Sequence, residues 1–187
     1  MGAAGSVPSG RFNGKLIVVG SMLDREAVIW QSDWYRQRFD ALLGADGPNR
    51  YRIWFTDNAL HGASEAAGAP TQVINYMPML HQALRDVSAW VERGIAPPAN
   101  TAYRVDDGQV ILPEAAAQRQ GIQPVVRLSI RGGTHGGKRI EVRAGQVVRF
   151  FGHAEVPQGT GMIVGAEWDF GGDERYTEQA RLPVRRG

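Results

Sequence analysis

A chain of 187 residues with 43% apolar and 21% charged side chains has an ordinary globular composition, with room for one domain or two small ones and no disordered or fibrous pattern. The absence of cysteine excludes disulfides and cysteine-ligated metals, and the longest apolar runs, such as Leu16 to Val19, fall far short of the roughly 20 residues that cross a bilayer. Net charge is only +2, although Arg119, Arg127, Arg131, Lys138, Arg139, Arg143 and Arg149 make the second half locally basic; a nucleic-acid surface would need clustered charge interleaved with aromatics on one face. These basic residues are expected to form a solvated β-rich face, with no nucleic-acid partner and no membrane span.

The amino-terminal stretch to Gly10 carries no positive, apolar leader pattern. Gly2 and Ser6 satisfy a loose myristoylation pattern that Gly/Ala/Ser-rich loops meet by composition alone. Leu16 to Val19 then reads as a short β-branched strand buried on both faces. Ser32 is placed to cap a helix carrying Tyr35, Phe39, Leu42 and Leu43 on one face, which Gly44 can end. Tyr51, Ile53 and Phe55 alternate along a second strand. From about Pro70 to Arg93 runs the strongest helical period, with Met77, Leu80, Leu84, Val87 and Val91 as its apolar stripe, Pro78 opening or kinking the helix, and Gly94 ending it. Strand alternating with helix predicts a parallel sheet covered by helices.

Residues 95–101 form a Pro-rich linker, after which the period changes. Asp106-Asp107-Gly108 between two short apolar runs predicts a hairpin. Val125 to Ile130, Arg139 to Val142, Val147 to Phe151 and Ile163 to Trp168 are further strand candidates between Gly-rich turns, a spacing expected of an antiparallel β-sandwich. The fold class is therefore α/β plus a small antiparallel β-sandwich, divided as residues 1–94, the linker, and a β-rich region at 102–187.

The chemistry concentrates after the first two strands. Asp24 follows the first and His61 the second, an acid and a base in the order a hydrolytic triad requires. Asp57 is the rival acid, but it lies on the same loop as His61. His81 falls within the long helix, His135 in a Gly-rich turn and His153 in the β-rich region; none of the four histidines has metal-ligand spacing, and neither a metal nor a cofactor is expected. Asp24 could also serve only as a turn cap.

Gly14-Lys-Leu-Ile-Val-Val-Gly-Ser-Met-Leu-Asp24 resembles the seventh strand of the α/β-hydrolase superfamily and its acid loop. Arg50-Tyr-Arg-Ile-Trp-Phe-Thr-Asp-Asn-Ala-Leu-His-Gly62 resembles the eighth strand and its histidine loop, and the helix ending at Arg93 takes the place of the last helix. The resemblance covers about residues 10 to 94 and rests on order and placement. It implies a partial hydrolase sheet with catalytic residues Asp24 and His61, acting on ester-type bonds. No Gly-x-Ser-x-Gly occurs; the nearest approach, Gly5-Ser-Val-Pro-Ser-Gly10, has the wrong spacing and no preceding strand. The chain is thus expected to be the carboxyl-terminal part of a larger esterase-like enzyme, inactive alone, whose partner is the missing amino-terminal segment.

Farther on, Arg143-Ala-Gly-Gln-Val-Val-Arg-Phe-Phe151 and Gly161-Met-Ile-Val-Gly-Ala-Glu-Trp-Asp-Phe-Gly-Gly-Asp173 resemble a truncated PKD-type domain, with Gly172-Asp173 in reversed order. That likeness implies an immunoglobulin-like sandwich with Trp168 in its core, a polymer or surface as ligand, and an exported protein. Asp169 and Asp173 are too few carboxylates to suggest calcium over turn chemistry. The alternative function is a noncatalytic interaction or scaffold module.

Overall fold

The computed structural model describes residues 7–62, 73–135, 137, 139–170 and 178–179. Gly2, Ser6, Pro70, Gly171 and Asp173, which figure in the expectations above, lie outside them.

Strand β1 (Leu16–Ser21) and strand β2 (Tyr51–Thr56) pair in parallel, from Leu16 opposite Tyr51 to Ser21 opposite Thr56. Side chains alternate between the faces of such a pair, and here each face has a helix. Tyr51, Ile53 and Phe55 turn to helix α1 (Trp30–Leu43), where Phe39 is fully buried against Tyr51 and flanked by Phe12 and Tyr35. Ile17, Val19 and Trp54 face the other way and pack with Met79 and Ala83 of a long helix farther along the chain. A short turn of helix, α2 (Gly47–Arg50), leads directly into β2, and the long helix is α3 (Met77–Arg93).

Helix α1 begins before Ser32, which lies inside it; Ile29 occupies the cap position with no side-chain bond, and Asp33 provides the negative charge in the first turn. Gly44 ends it, with φ 49°. Pro78 sits in the first turn of α3, where its missing N–H costs nothing, so it opens the helix and does not kink it. The expected apolar stripe is corrected. Helix α3 buries Met79, Ala83, Ala89 and Trp90, whereas Leu84 and Val91 are 58% and 63% exposed. The small Ala83 lets the helix approach Trp54, and Trp90 carries the cations of Lys15 and Arg52 over its ring. Replacing Leu84 or Val91 with Gln should therefore change unfolding free energy by no more than about 0.5 kcal/mol. Met79→Ala should cost about 2–5 kcal/mol, both read by denaturant titration.

Residues 98–123 do more than connect. Along the edge of β2 away from β1, the Ile53 amide donates to Asn100 Oδ1, the Phe55 amide donates to Thr101 Oγ1, and the Thr101 amide donates to Ile53 O. Trp54 Nε1 donates to Ala99 O. Side chains thus take the place of a third strand on an edge that would otherwise leave buried amides unpaired. The expected hairpin forms as β3 (Arg104–Asp106) and β4 (Gln109–Ile111), antiparallel, with Asp107 and Gly108 both at positive φ. Val110 of this hairpin joins the α1-side core, with Tyr103 and Leu112 packed against it. The Tyr103 hydroxyl donates to Asp33 Oδ1 and receives the Arg36 guanidinium, fastening the segment to α1.

Helix α4 (Ala116–Arg119) precedes strand β5 (Val125–Ile130), which pairs antiparallel with β6 (Phe150–Glu155). The strand expected at Val147 to Phe151 thus starts later, where it can pair with β5 and where Glu155 meets Arg127 and the Ala116 amide. Of Arg139 to Val142 only a single bridge from Arg139 to Thr134 forms. Of Ile163 to Trp168 only β7 (Glu167–Trp168) is a strand, paired with β8 (Glu178–Gln179). The architecture is one of mixed helices and small sheets, one parallel pair and three antiparallel pairs, with no closed barrel among the described residues. No helix among them is long and apolar enough to cross a membrane.

Candidate acid–base site at the ends of the parallel strands

The carboxyl-terminal ends of β1 and β2 lie side by side because the strands are in parallel register, and their ladder continues into the loops. The Met22 amide donates to Thr56 O and the Leu23 amide to Ala59 O, both at 2.9 Å. Successive amides of the acid loop therefore meet carbonyls three residues apart at the end of β2 and in the loop that follows it. The two extra residues, Asp57 and Asn58, are accommodated by a turn in which Asn58 takes φ 55°, a left-handed conformation that Asn tolerates. Ala59 and Leu60 are buried beyond it, and His61 follows.

His61 Nδ1 lies 2.8 Å from Asp24 Oδ2. The other carboxylate oxygen, Oδ1, accepts the backbone amides of Glu26 and Ala27, each at 2.9 Å, in a turn that closes back on the acid. The Asp24 side chain is only 7% exposed and His61 is 61% exposed, so the acid is sheltered while the ring stands at the surface. Burial pushes the Asp24 carboxyl up, but the amides of Ala27 and Glu26 and the His61 ring together hold it below the ordinary carboxylate value. An ionised carboxylate only accepts, so Nδ1 carries the proton of this bond and, in the neutral ring, Nε2 is the basic nitrogen.

A carboxyl whose folded value is depressed stabilises the fold at pH above its unfolded value, near pH 4, and that contribution is lost as pH falls through the lower folded value. The stability gap between the native sequence and Asp24→Asn should accordingly be largest near neutrality and shrink below about pH 4, as measured by urea unfolding across pH.

Asp57, the rival acid, is committed elsewhere. Its Oδ2 accepts a hydrogen bond from Arg119 Nη1 at 3.0 Å, and its Oδ1 accepts the Asn58 amide. Gln123 reads both backbone groups of Asp57, accepting its N–H at 2.8 Å and donating to its C=O at 3.2 Å. Arg119 is buried, with its Nε on Pro113 O, which corrects the expectation that it belongs to a solvated basic face. Arg127 likewise pairs with Glu155, which His153 Nε2 also approaches at 2.8 Å. His81 is exposed on α3, and His135 stands in its turn at φ 53°. These three histidines lie on other elements, apart from the Asp24–His61 pair. Trp168 and Phe170 stack with ring planes 4° apart, and Phe150 meets both, while Phe170 remains 64% exposed.

The arrangement can hold an imidazole in one tautomer and accept a proton at the opposite nitrogen, which is the second and third parts of a nucleophile–base–acid relay. Thr101 and Gln123 were passed over in the sequence and Arg119 was read only as a surface charge; all three are buried polar groups. Their signal was weak, because a buried Arg or Gln is legible only once its partner across the fold is known. No group of three or more histidines and carboxylates placed to hold a metal ion occurs among the described residues. No family model, no curated protein and no solved structure matches this chain.

Proposed function

We propose that this chain supplies the base and the orienting acid of a Ser–His–Asp hydrolase acting on ester-type bonds, with the nucleophile provided by a polypeptide segment outside this sequence. The observation that carries the reading is the 2.8 Å bond from an exposed imidazole to a sheltered carboxylate, at the ends of adjacent parallel strands. Its roles would be those of the resembled superfamily. Asp24 fixes the ring and stabilises the imidazolium, and His61 Nε2 takes the proton of an attacking hydroxyl and returns it to the leaving group. The finer fold assignment, a hydrolase sheet followed by a PKD-type sandwich, belongs to the same proposal; the parallel pair between α1 and α3 supports its first part.

The deciding experiment joins this chain to the coding sequence upstream of it and assays short nitrophenyl esters. Turnover that disappears with His61→Ala and with a Gly-x-Ser-x-Gly serine replaced by Ala supports the proposal; an upstream sequence with no such serine, or turnover indifferent to His61, defeats it. A noncatalytic interaction role is favoured by one observation, the exposed Phe170 stacked on Trp168. A Phe170→Ala variant that no longer sediments with an insoluble polymer retained by the native chain would support that second reading.

A further inference from the structure

We infer that Gln123, with Arg119, is a positioning residue for the acid–base pair, acting through Asp57. This rests on the proposed role of Asp24 and His61. The geometry places two side chains from beyond the Pro-rich segment on a single residue, Asp57, where β2 gives way to the loop bearing His61. The Gln123 amide satisfies both Asp57 backbone groups as a neighbouring strand would, and Arg119 takes the Asp57 carboxylate.

Both clamping residues are buried, Arg119 at 7% and Gln123 at 8% exposure, and Arg119 is itself held by Pro113 O. What they hold is the two-residue excursion Asp57–Asn58, including the left-handed Asn58. Without that excursion the amide of Leu23 would not meet Ala59 O, and His61 would not arrive opposite Asp24. The acid side needs no such help, because Asp24 is fixed by the amides of its own loop. The histidine side has its strand end fixed by Gln123 and Arg119. The carboxylate that competes with Asp24 in the sequence thereby acquires a different task, its charge paired with Arg119.

The test reads the pair directly in the purified chain. Ring-nitrogen NMR of labelled histidine reports which nitrogen of His61 is protonated, and the carboxyl carbon of Asp24 reports its titration. In Gln123→Met, which keeps the length of the side chain and removes both bonds, the Nδ1–H signature of His61 should be lost to averaging between tautomers. The Asp24 midpoint should rise toward the ordinary value. Gln123→Glu keeps the acceptor for the Asp57 amide and loses the donor; it should fall between the two, and it carries the test if the Met variant does not fold. Val110→Ala, which loosens the α1-side core without touching Asp57, should leave both signals in place. Unchanged tautomer and titration in the folded Gln123 variants would overturn the inference, as would the same loss in Val110→Ala, which would make the effect general loosening. No serine enters these readouts, so a failed esterase assay would sink the functional proposal and leave this one standing. Should the joined enzyme be active, Gln123→Met should lower kcat by roughly 10²-fold, the scale of an ångström of misplacement.

Discussion

Joined to a segment that restores a nucleophile, the Asp24→Asn variant should lose roughly 10⁴-fold in kcat, with KM little changed. The size follows from what the carboxylate does. An Asn can present its amide to Nδ1, and the ring then takes the tautomer whose proton sits on Nε2, the nitrogen that must be basic. Sterically the site would be intact and chemically it would be in the wrong state. His61→Ala should cost as much or more, since it removes the base itself, and the double variant should be little worse than either single one because the two residues act as a unit. Strictly additive losses in the double variant would indicate independent roles and contradict the proposal.

Assayed alone, the native chain should hydrolyse nitrophenyl acetate no faster than His61→Ala does. A positioned imidazole without a nucleophile and an oxyanion hole lacks a term worth on the order of 10²- to 10³-fold for each donor. Robust turnover by the chain alone, abolished by replacing one of its own serines, would mean that the nucleophile is already present.

What the sequence made legible, and what it hid, divides along physical lines. Strand β1 was readable as a short apolar run, Leu16 to Val19, although the structure leaves those four residues half-buried, and β2 was readable from the alternation of Tyr51, Ile53 and Phe55, all buried toward α1. Asp24 and His61 were readable because loops after such strands are where chemistry is placed, and the structure sets the two 2.8 Å apart. The face of α3 was misread because its sequence offers two stripes. Leu80, Leu84, Val87 and Val91 hold the larger aliphatic side chains, but contact with Trp54 goes to the side where Ala83 permits close approach. The strands after Ile130 were poorly placed because many of their apolar residues stay exposed, Val147 at 83% and Val164 at 88%, so no buried face disciplines the register. The clamp on Asp57 had only a weak local signal, since Gln123 lies far along the chain and its side-chain amide works by imitating backbone.

The role of residues 98–123 also governs the largest expected loss of stability. Trp54 is fully buried, touches Met79 and Ala83 of α3, and donates its indole N–H to Ala99 O in the segment that lines β2. Truncation to Ala would open a cavity between the sheet and α3 that neighbours on a short parallel pair cannot refill, at a cost of about 3–5 kcal/mol. The lost hydrogen bond adds less, because Ala99 is exposed and its carbonyl can turn to water. Against the 5–15 kcal/mol typical of a domain, such a loss leaves little margin. Thr101→Val, which removes the acceptor for the buried Phe55 amide, should cost about 1–3 kcal/mol by leaving that donor unsatisfied. Both variants should lower the midpoints seen by far-ultraviolet dichroism and by tryptophan fluorescence together, because α3, the parallel pair and the lining segment share the same buried groups. A Trp54→Ala protein within 1 kcal/mol of the native stability, or two probes that separate, would show instead that the segment after Gly94 folds independently of the strands it lines.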